Sequence, residues 1–134
     1  MNEAGIKVMV KLEAEKAEAS LKGARILLKS KLYDETVSSA YYAMFHMTKA
    51  LLLTINEEPS THHGLIILFG LNFVKPGIIE EAFNDMLIDA KESRESGDYD
   101  AARKFAEEEA AEKVENAAKF NKRISGYLKE KKYI

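Results

Sequence analysis

The stretch DETVSSAYYAMFHMTKALL, Asp34–Leu52, decides the fold of this chain. Between Thr36 and Thr48 it carries no formally charged side chain. Apolar residues recur in it at helical intervals, and a helix with so little charge is expected to be buried on most of its sides. The sequence therefore predicts a helix at the centre of the core, beginning near Asp34 as its N-cap.

Similar three- and four-residue spacings predict helices on both sides of this stretch. The first helix presents one apolar face, formed by Val10, Ala14, Ala17, Leu21, Ala24 and Leu28. A short third helix is expected after Ser60 or Thr61, either of which could be its N-cap. The Pro76-Gly77 pair is expected to end that helix, because both residue types interrupt regular structure.

Two more helices are predicted in the second half of the chain. The fourth is expected to end at Gly97 as its C-cap, and the last is expected to run from Ala101 to Leu128, capped by Asp98 or Asp100. No segment alternates polar and apolar residues as a strand does. Because long helices with short loops favour antiparallel neighbours, we predict an all-α, up-and-down antiparallel bundle of four to five helices.

Composition excludes several classes of protein. The 134 residues include 20 Lys and Arg, 22 Asp and Glu, and no cysteine. This balance excludes a strongly basic nucleic-acid-binding chain, and the lack of cysteine excludes disulfides and a thiol nucleophile. The length predicts a single domain over residues 1–134. With no membrane-spanning run and no signal peptide in the pattern, a soluble cytoplasmic protein without a membrane partner is expected.

The charges are nevertheless unevenly distributed along the chain. Residues 76–100 carry eight acidic and two basic side chains, whereas residues 101–134 carry nine basic and six acidic ones. Two interpretations are open for this asymmetry. The two segments could be solvated faces that attract each other, or the basic segment could be an edge that meets phosphate.

His46, His62 and His63 are the natural candidates for acid–base chemistry, since the unperturbed histidine pKa of about 6.5 lies near neutrality. His46 lies in the uncharged helix, where the structural alternative is a partly buried histidine held by a neighbour. For His62 and His63 the alternative is a solvent-exposed pair at a helix start. Adjacent helical residues point about 100° apart and no metal-binding spacing occurs, so neither a metal ion nor a cofactor is expected.

The most distinctive local string is RESGDYD, at residues 94–100. In a capping interpretation, Arg94 lies near a helix C-terminus and an aspartate opens the next helix, both of which suit the helix dipole. In a functional interpretation, Arg94 grips a phosphate or carboxylate through two hydrogen bonds, and Tyr99 stacks or donates beside it.

Several strings of the chain resemble one family, the HEPN domain (higher eukaryotes and prokaryotes nucleotide-binding). They are SAYYAMFH at 39–46, KALL at 49–52, THHG at 61–64, RESGDYD at 94–100 and AAKF at 117–120. The resemblance covers nearly the whole chain and is to the small stand-alone prokaryotic branch. It implies a helical up-down bundle that commonly forms homodimers. It also implies an association with a minimal nucleotidyltransferase, often as toxin and antitoxin.

The resemblance also implies a ribonuclease motif, from which this chain departs. Active family members cut RNA without metal, using an arginine that holds the scissile phosphate. A histidine four to six residues later, at the start of the last helix, moves protons, and two such motifs face each other across the dimer. Arg94 matches the arginine, but Asp98, Tyr99 and Asp100 occupy the histidine positions and no histidine follows. A carboxylate there places negative charge close to a phosphate.

Three functions are therefore open. The first is a HEPN-like module that dimerises and binds a nucleotide, RNA or a nucleotidyltransferase partner without cleaving RNA. Its ligand-binding residues would be Arg94, Asp98, Tyr99 and Tyr42. The second is a metal-independent endoribonuclease toxin in which Arg94 holds the phosphate and His46 or His63 is the acid–base group. The third is a purely structural interaction domain.

A homodimer is expected because the uncharged helix and the third helix hold more apolar side chains than a small bundle hides.

Overall fold

The computed structural model describes all of residues 1–134, and it contains helices and no strands. Its helices are α1 (Glu3–Lys29), α2 (Tyr33–Leu53), α3 (His62–Phe69), α4 (Glu81–Tyr99) and α5 (Glu107–Glu130). A π-helical turn, Gly70–Val74, continues α3 without a break. The predicted all-α helical bundle is confirmed. None of the helices combines the length and the apolar composition that crossing a membrane requires.

The uncharged helix α2 occupies the centre, as predicted, because it packs against each of the other four helices. Tyr41, Met44 and Met47 are fully buried in the main core. Two buried hydroxyl groups of α2, those of Thr36 and Thr48, are not left without a hydrogen-bond partner. Each donates to a backbone carbonyl one turn earlier in the chain. The apolar side chains of α2 are therefore mostly hidden. The expected excess of exposed apolar side chains is found instead at α3 and the turn after it, where Ile67 and Leu71 are 46% and 54% exposed.

The acidic fourth helix and the basic fifth helix are joined by ion pairs. Lys113 of α5 pairs with Asp89 of α4. The Arg123 guanidinium donates to both carboxylate oxygens of Glu80, over 2.7 and 3.1 Å. These ion pairs agree with the first interpretation of the uneven charge, in which the acidic and the basic segments attract each other.

Of the helix caps predicted from the sequence, Thr61 is confirmed and Asp34 is wrong. The Thr61 hydroxyl accepts the Gly64 N–H at 2.9 Å and caps α3, as the sequence predicts. Asp34 does not cap α2, which begins one residue earlier at Tyr33. Instead the Asp34 carboxylate accepts the backbone N–H of Phe105 at 3.0 Å, from a segment distant in sequence.

The predicted boundary at Gly97 is wrong, because α4 continues through this glycine to Tyr99. The position is a close approach between segments. A Cβ atom at Gly97 would lie 3.0 Å from Cε2 of the Phe105 ring. The missing side chain thus makes room for Phe105, which is buried, while the helical hydrogen bonds continue.

The predicted start of the last helix at Ala101 is also wrong. Residues 100–106 form a linker, and α5 begins at Glu107. Neither Asp98 nor Asp100 caps this helix: the Asp100 carboxylate accepts the N–H of Ala102 within the linker. The first turn of α5 is stabilised by Glu109, which accepts the backbone N–H of Ala106 at 3.0 Å. Burial of Phe105 holds the linker out of helical conformation.

Candidate functional site

An aromatic cluster forms where α2 meets the start of α3. It consists of Tyr41, Tyr42, Phe45 and His62. The His62 ring stacks on Phe45, with centroids 4.5 Å apart, and lies 5.6 Å from the Tyr41 ring. Tyr41 and Tyr42 meet edge to face at 5.3 Å. Adjacent positions on α2 thus supply both a buried and a partly exposed phenol to one cluster.

Arg94 reaches this cluster from α4. Its guanidinium carbon lies 5.2 Å from the Tyr41 ring centroid and 5.6 Å from that of Tyr42. Both distances are within the range of attraction between a cation and an aromatic face. The Arg94 side chain is only 14% exposed, so this contact is well shielded from water.

The guanidinium of Arg94 is already engaged by two acceptors. Its Nη1 donates to the Tyr42 hydroxyl at 3.2 Å and to the Asp98 carboxylate at 3.0 Å. Asp98 lies one turn further along the same helix. Nε is buried without a hydrogen-bond partner. Asp98 therefore neutralises charge that a phosphate would otherwise use, while Nε and Nη2 form no hydrogen bond within the chain.

His62 is the histidine that lies close to Arg94, since both contact the Tyr41 ring. Its Nδ1 lies 2.6 Å from the Tyr41 hydroxyl. Burial lowers the pKa of His62, and the positive charges of Arg94 and Lys91 lower it further. Burial also raises the pKa of Tyr41, so this phenol keeps its proton. The Tyr41 O–H therefore donates to Nδ1, and the ring proton of neutral His62 is on Nε2.

A groove of about 400 Å³ lies beside Arg94, between α2, α4 and the linker. Its lining residues are Asp34, Glu35, Val37, Ser38, Arg94, Gly97, Asp98 and Phe105. Three carboxylates thus share this groove with a single guanidinium. We call it the Arg94 groove.

His46 lies in a different environment, on the side of α2 that faces α1. Its Nδ1 is 2.9 Å from the carboxylate of Glu13, and the Lys49 ammonium lies 3.6 Å from the same carboxylate. The hydrogen bond from His46 lowers the pKa of Glu13 against the opposing effect of burial, and the charge of Lys49 lowers it further. His46 is thus a partly buried histidine held by a neighbour, the structural alternative considered above.

The structure brings together three of the predicted ligand-binding residues, Arg94, Asp98 and Tyr42. It does not bring Tyr99 to them, because this side chain is 85% exposed at the end of α4. His63 is likewise exposed.

His62 was one of the three histidines considered for acid–base chemistry, but the predicted catalytic candidates included only His46 and His63. A signal for it exists in the sequence, because His62, Leu65 and Phe69 follow the three–four spacing of one helix face. Leu65 and Phe69 are buried, so this spacing places His62 on the inner side and His63 off it.

Metal ligands do not converge in this structure. No three histidine, aspartate or glutamate side chains are close enough together to hold a metal ion.

Comparison with known proteins establishes the family of the chain. The model of the HEPN domain matches residues 10–129, which include all of the site residues described above. This chain belongs to the HEPN domain family. The resemblance seen in the sequence is thereby confirmed.

Individual relatives support the same assignment over most of their length. A protein of Methanocaldococcus jannaschii that is named as a candidate toxin is 45% identical over 116 residues, which cover 87% of this chain and 86% of that protein. A second candidate toxin of the same organism is 35% identical over 114 residues, covering 85% and 78%. A UPF0332 protein of Gloeobacter violaceus is 39% identical over 98 residues, covering 73% and 78%.

The HEPN ribonuclease motif can now be compared with the geometry. Arg94 and Asp98 lie in the same helix, α4, and bond to each other. The family motif would place a histidine four to six residues after the arginine, at the start of the last helix. Here that helix begins only at Glu107. The residue four positions after Arg94 is therefore an acceptor for the arginine, and the nearest histidine comes from α3.

Proposed function

We propose that this HEPN protein is the toxin-side member of a toxin–antitoxin pair and acts as a homodimer. In this proposal the Arg94 groove binds a protein partner, a minimal nucleotidyltransferase, and the chain does not cleave RNA. The observation that carries the proposal is the ion pair between Arg94 and Asp98, at 3.0 Å. It engages the guanidinium that a ribonuclease of this family would need for the scissile phosphate.

The charges around the groove favour a protein partner over a polyanion. Asp34, Glu35 and Asp98 line it together with Arg94. Two like charges 4 Å apart repel by about 1 kcal/mol in water and about 4 kcal/mol at the effective dielectric of a protein surface. A nucleotide or RNA phosphate would meet this repulsion and would compete with Asp98 for the charge of Arg94. A partner side chain that carries positive charge, or donates hydrogen bonds, would meet no such cost.

The relatives support the biological side of the proposal. Two of the proteins that match over most of their length are named as candidate toxins. The small prokaryotic branch that the chain resembles is often paired with a minimal nucleotidyltransferase. A toxin that is held by a partner needs a binding surface, and the Arg94 groove offers both a recess and fixed charges.

Co-expression with the candidate partner tests this proposal. We expect a tagged minimal nucleotidyltransferase to retain the wild-type chain during purification and to lose it with Glu35→Lys, which reverses an exposed negative charge of the groove. The matched control is Glu112→Lys, which makes the same reversal at an exposed site on α5 and should leave retention unchanged. Equal retention of the wild type and of both variants would contradict a role for the groove.

One observation favours a second candidate, a metal-independent ribonuclease. Neutral His62 carries a proton on Nε2 and shares the Tyr41 ring environment with Arg94. It could thus replace the missing motif histidine in space, although not in sequence. General acid–base catalysis contributes about 10²–10⁴-fold in rate. In that case His62→Gln would lose cleavage by such a factor, whereas His63→Gln, at the exposed neighbour, would keep it.

A further inference from the structure

The linker between α4 and α5 has a sequence that favours a helix. Residues 101–106 read AARKFA, in which alanine, arginine and lysine are among the best helix formers and neither glycine nor proline occurs. The structure nevertheless keeps this segment out of both helices, since α4 ends at Tyr99 and α5 begins at Glu107. Such a conflict between local preference and tertiary structure is typical of functional or strained segments.

The first turn of the disfavoured helix is already present in the linker. The Asp100 carboxylate accepts the N–H of Ala102 at 3.0 Å, as the side chain of an N-cap residue does. The Asp100 carbonyl accepts the N–H of Arg103, also at 3.0 Å. These two hydrogen bonds form one turn over residues 100–103, at the start that the sequence predicts for the last helix.

The two backbone N–H groups that would continue this turn are bonded elsewhere. In an α-helix each would donate to the carbonyl four residues earlier. Instead the Phe105 N–H donates to the Asp34 carboxylate on α2, and the Ala106 N–H donates to Glu109, both over 3.0 Å. A change of conformation at Lys104–Ala106 would therefore join a formed turn to a formed helix.

The Phe105 side chain is the anchor that prevents this change. Its ring occupies the space left by the missing side chain of Gly97, which we call the Phe105 slot. The ring is buried in a small cluster that is separate from the main core and includes Val37 and Ala110. Because the anchor is one side chain in a separate cluster, it can open locally while the main core stays packed.

Arg103 secures the anchor from outside the Arg94 groove. Its guanidinium carbon lies 4.0 Å from the centroid of the Phe105 ring, and the guanidinium also pairs with the Glu109 carboxylate at 2.8 Å. Arg103 and Glu109 do not line the groove, whereas Phe105 and Gly97 do. The groove therefore has this aromatic wall only while Phe105 is anchored.

We propose that the linker is a two-state latch on the Arg94 groove. In the anchored state, which is the state described above, Phe105 forms a wall of the groove and the partner protein binds. In the released state Phe105 leaves its slot, residues 101–106 join α5 as one helix, and the groove loses this wall. This inference rests on the proposed function and adds the regulation of its binding site.

Hydrogen exchange of the Phe105 N–H tests the latch on the chain alone. Arg103→Ala should loosen the anchor and speed this exchange about fivefold. Lys122→Ala, which removes the same charge from an exposed site on α5, is the matched control and should leave the rate unchanged. Equal rates in Arg103→Ala and in the control would overturn the latch.

A proline at position 106 should lock the anchored state. Ala106 has a φ of −79°, which proline accepts, and a proline there disfavours helical conformation at Phe105. Arg103→Ala with Ala106→Pro should therefore exchange the Phe105 N–H more slowly than Arg103→Ala alone. Equally fast exchange in the two proteins would show that release does not lead to a helix and would overturn the proposal.

Helix content tests the released state directly. Phe105→Gln removes the anchor and keeps a residue that favours helices. Far-ultraviolet circular dichroism should show more helix in Phe105→Gln than in the wild type, and Phe105→Gln with Ala106→Pro should not show this gain. Equal helix content in the wild type and in a folded Phe105→Gln would overturn the released state. If Phe105→Gln does not fold, the exchange rates of the Arg103→Ala variants decide.

Retention by the tagged minimal nucleotidyltransferase tests the regulation of the groove. Arg103→Ala should be retained less well than the wild type, and adding Ala106→Pro should restore retention, although neither residue lines the groove. Equal retention of Arg103→Ala and the wild type, or a loss that Ala106→Pro does not restore, would overturn this regulation. Retention that Glu35→Lys leaves unchanged would instead overturn the proposed function, and the exchange rates would still decide on the latch.

Discussion

His46 and His62 lie near the same row of aromatic side chains, yet their surroundings differ in kind. The partner of His46 is a carboxylate, Glu13, which Lys49 also contacts. The partner of His62 is the Tyr41 hydroxyl, and the nearby charges of Arg94 and Lys91 are positive. The first histidine links two helices through a hydrogen bond to a carboxylate, whereas burial and nearby cations favour the neutral form of the second by lowering its pKa.

This difference shows that the neighbouring helix decides what a histidine does. The carboxylate of Glu13 holds His46 by a hydrogen bond, so that this histidine contributes mainly to the packing of α1 on α2. Burial and the nearby cations lower the pKa of His62 and favour the neutral ring, which keeps one N–H available. Of the two, only His62 lies in the aromatic cluster that the Arg94 guanidinium contacts. The predictions below test this contrast.

The largest effect is expected at Tyr41, which supports His62 and is fully buried. Tyr41→Ala should destabilise the protein by about 3–5 kcal/mol, because it leaves a cavity of aromatic size. Tyr41→Phe keeps the packing and removes only the hydrogen bond to His62, at a cost of about 1 kcal/mol. Urea unfolding of both variants measures the difference. If Tyr41→Phe destabilised the protein as much as Tyr41→Ala, the hydroxyl and not the ring would make the main contribution of Tyr41 to stability.

A smaller effect is expected at Glu13, which supports His46. Glu13→Ala should cost about 1.5–3 kcal/mol, since it removes a partly buried hydrogen bond to a charged group. Glu112→Ala, at an exposed carboxylate on α5, is the control and should change stability by less than about 0.5 kcal/mol. The two variants are compared by urea unfolding. Equal effects would show that the Glu13 contacts with His46 and Lys49 do not stabilise the fold.

The pH dependence of stability should distinguish the environment of His62. Its pKa is lowered from 6.5 in the folded protein, so the unfolded chain takes up this proton at a higher pH than the folded one. The free energy of unfolding is therefore highest above pH 6.5 and falls as the pH drops toward the folded pKa. His62→Gln should show a flatter dependence in that range. An unchanged slope in the variant would contradict a neutral His62.

The smallest effect concerns two glycines within helices. A Cβ at Gly126 would meet nothing within 4 Å. Gly126→Ala should therefore stabilise the protein by about 0.5–1 kcal/mol. Gly97→Ala should not stabilise the protein in this way, because its Cβ would lie 3.0 Å from the Phe105 ring that borders the groove. Thermal unfolding measures both changes, and a similar gain at the two positions would show that Phe105 moves aside without cost.

Much of the fold could be predicted because its signals are local. The uncharged stretch of α2, the apolar face of α1 and the Thr61 cap each depend on residues that are close in sequence. The boundaries near Gly97 could not be predicted in this way. They depend on Phe105, whose backbone N–H bonds to Asp34 across 71 positions of the chain. Contacts of this range come from the packing of helices, which a single sequence does not specify.

In the candidate site, too, contacts between residues that are distant in sequence could not be predicted. Arg94 and Asp98 were both named from the RESGDYD string, but with a helix boundary predicted between them that the structure does not have. Tyr42 came from another distinctive string. The pairing of His46 with Glu13 depends on how α1 is aligned with α2 and could not be read from the sequence. His62 could have been found from its spacing to Leu65 and Phe69, which the presence of His63 beside it obscured.

Incubation of the purified wild-type protein with RNA in the presence of EDTA, with Arg94→Ala as the comparison, shows whether the Arg94 groove cleaves RNA. We expect no cleavage by either protein, because Asp98 engages the guanidinium of Arg94 and the carboxylates of the groove repel phosphate. Cleavage by the wild type that persists in EDTA and disappears with Arg94→Ala would contradict this expectation, and would identify the Arg94 groove as a ribonuclease site.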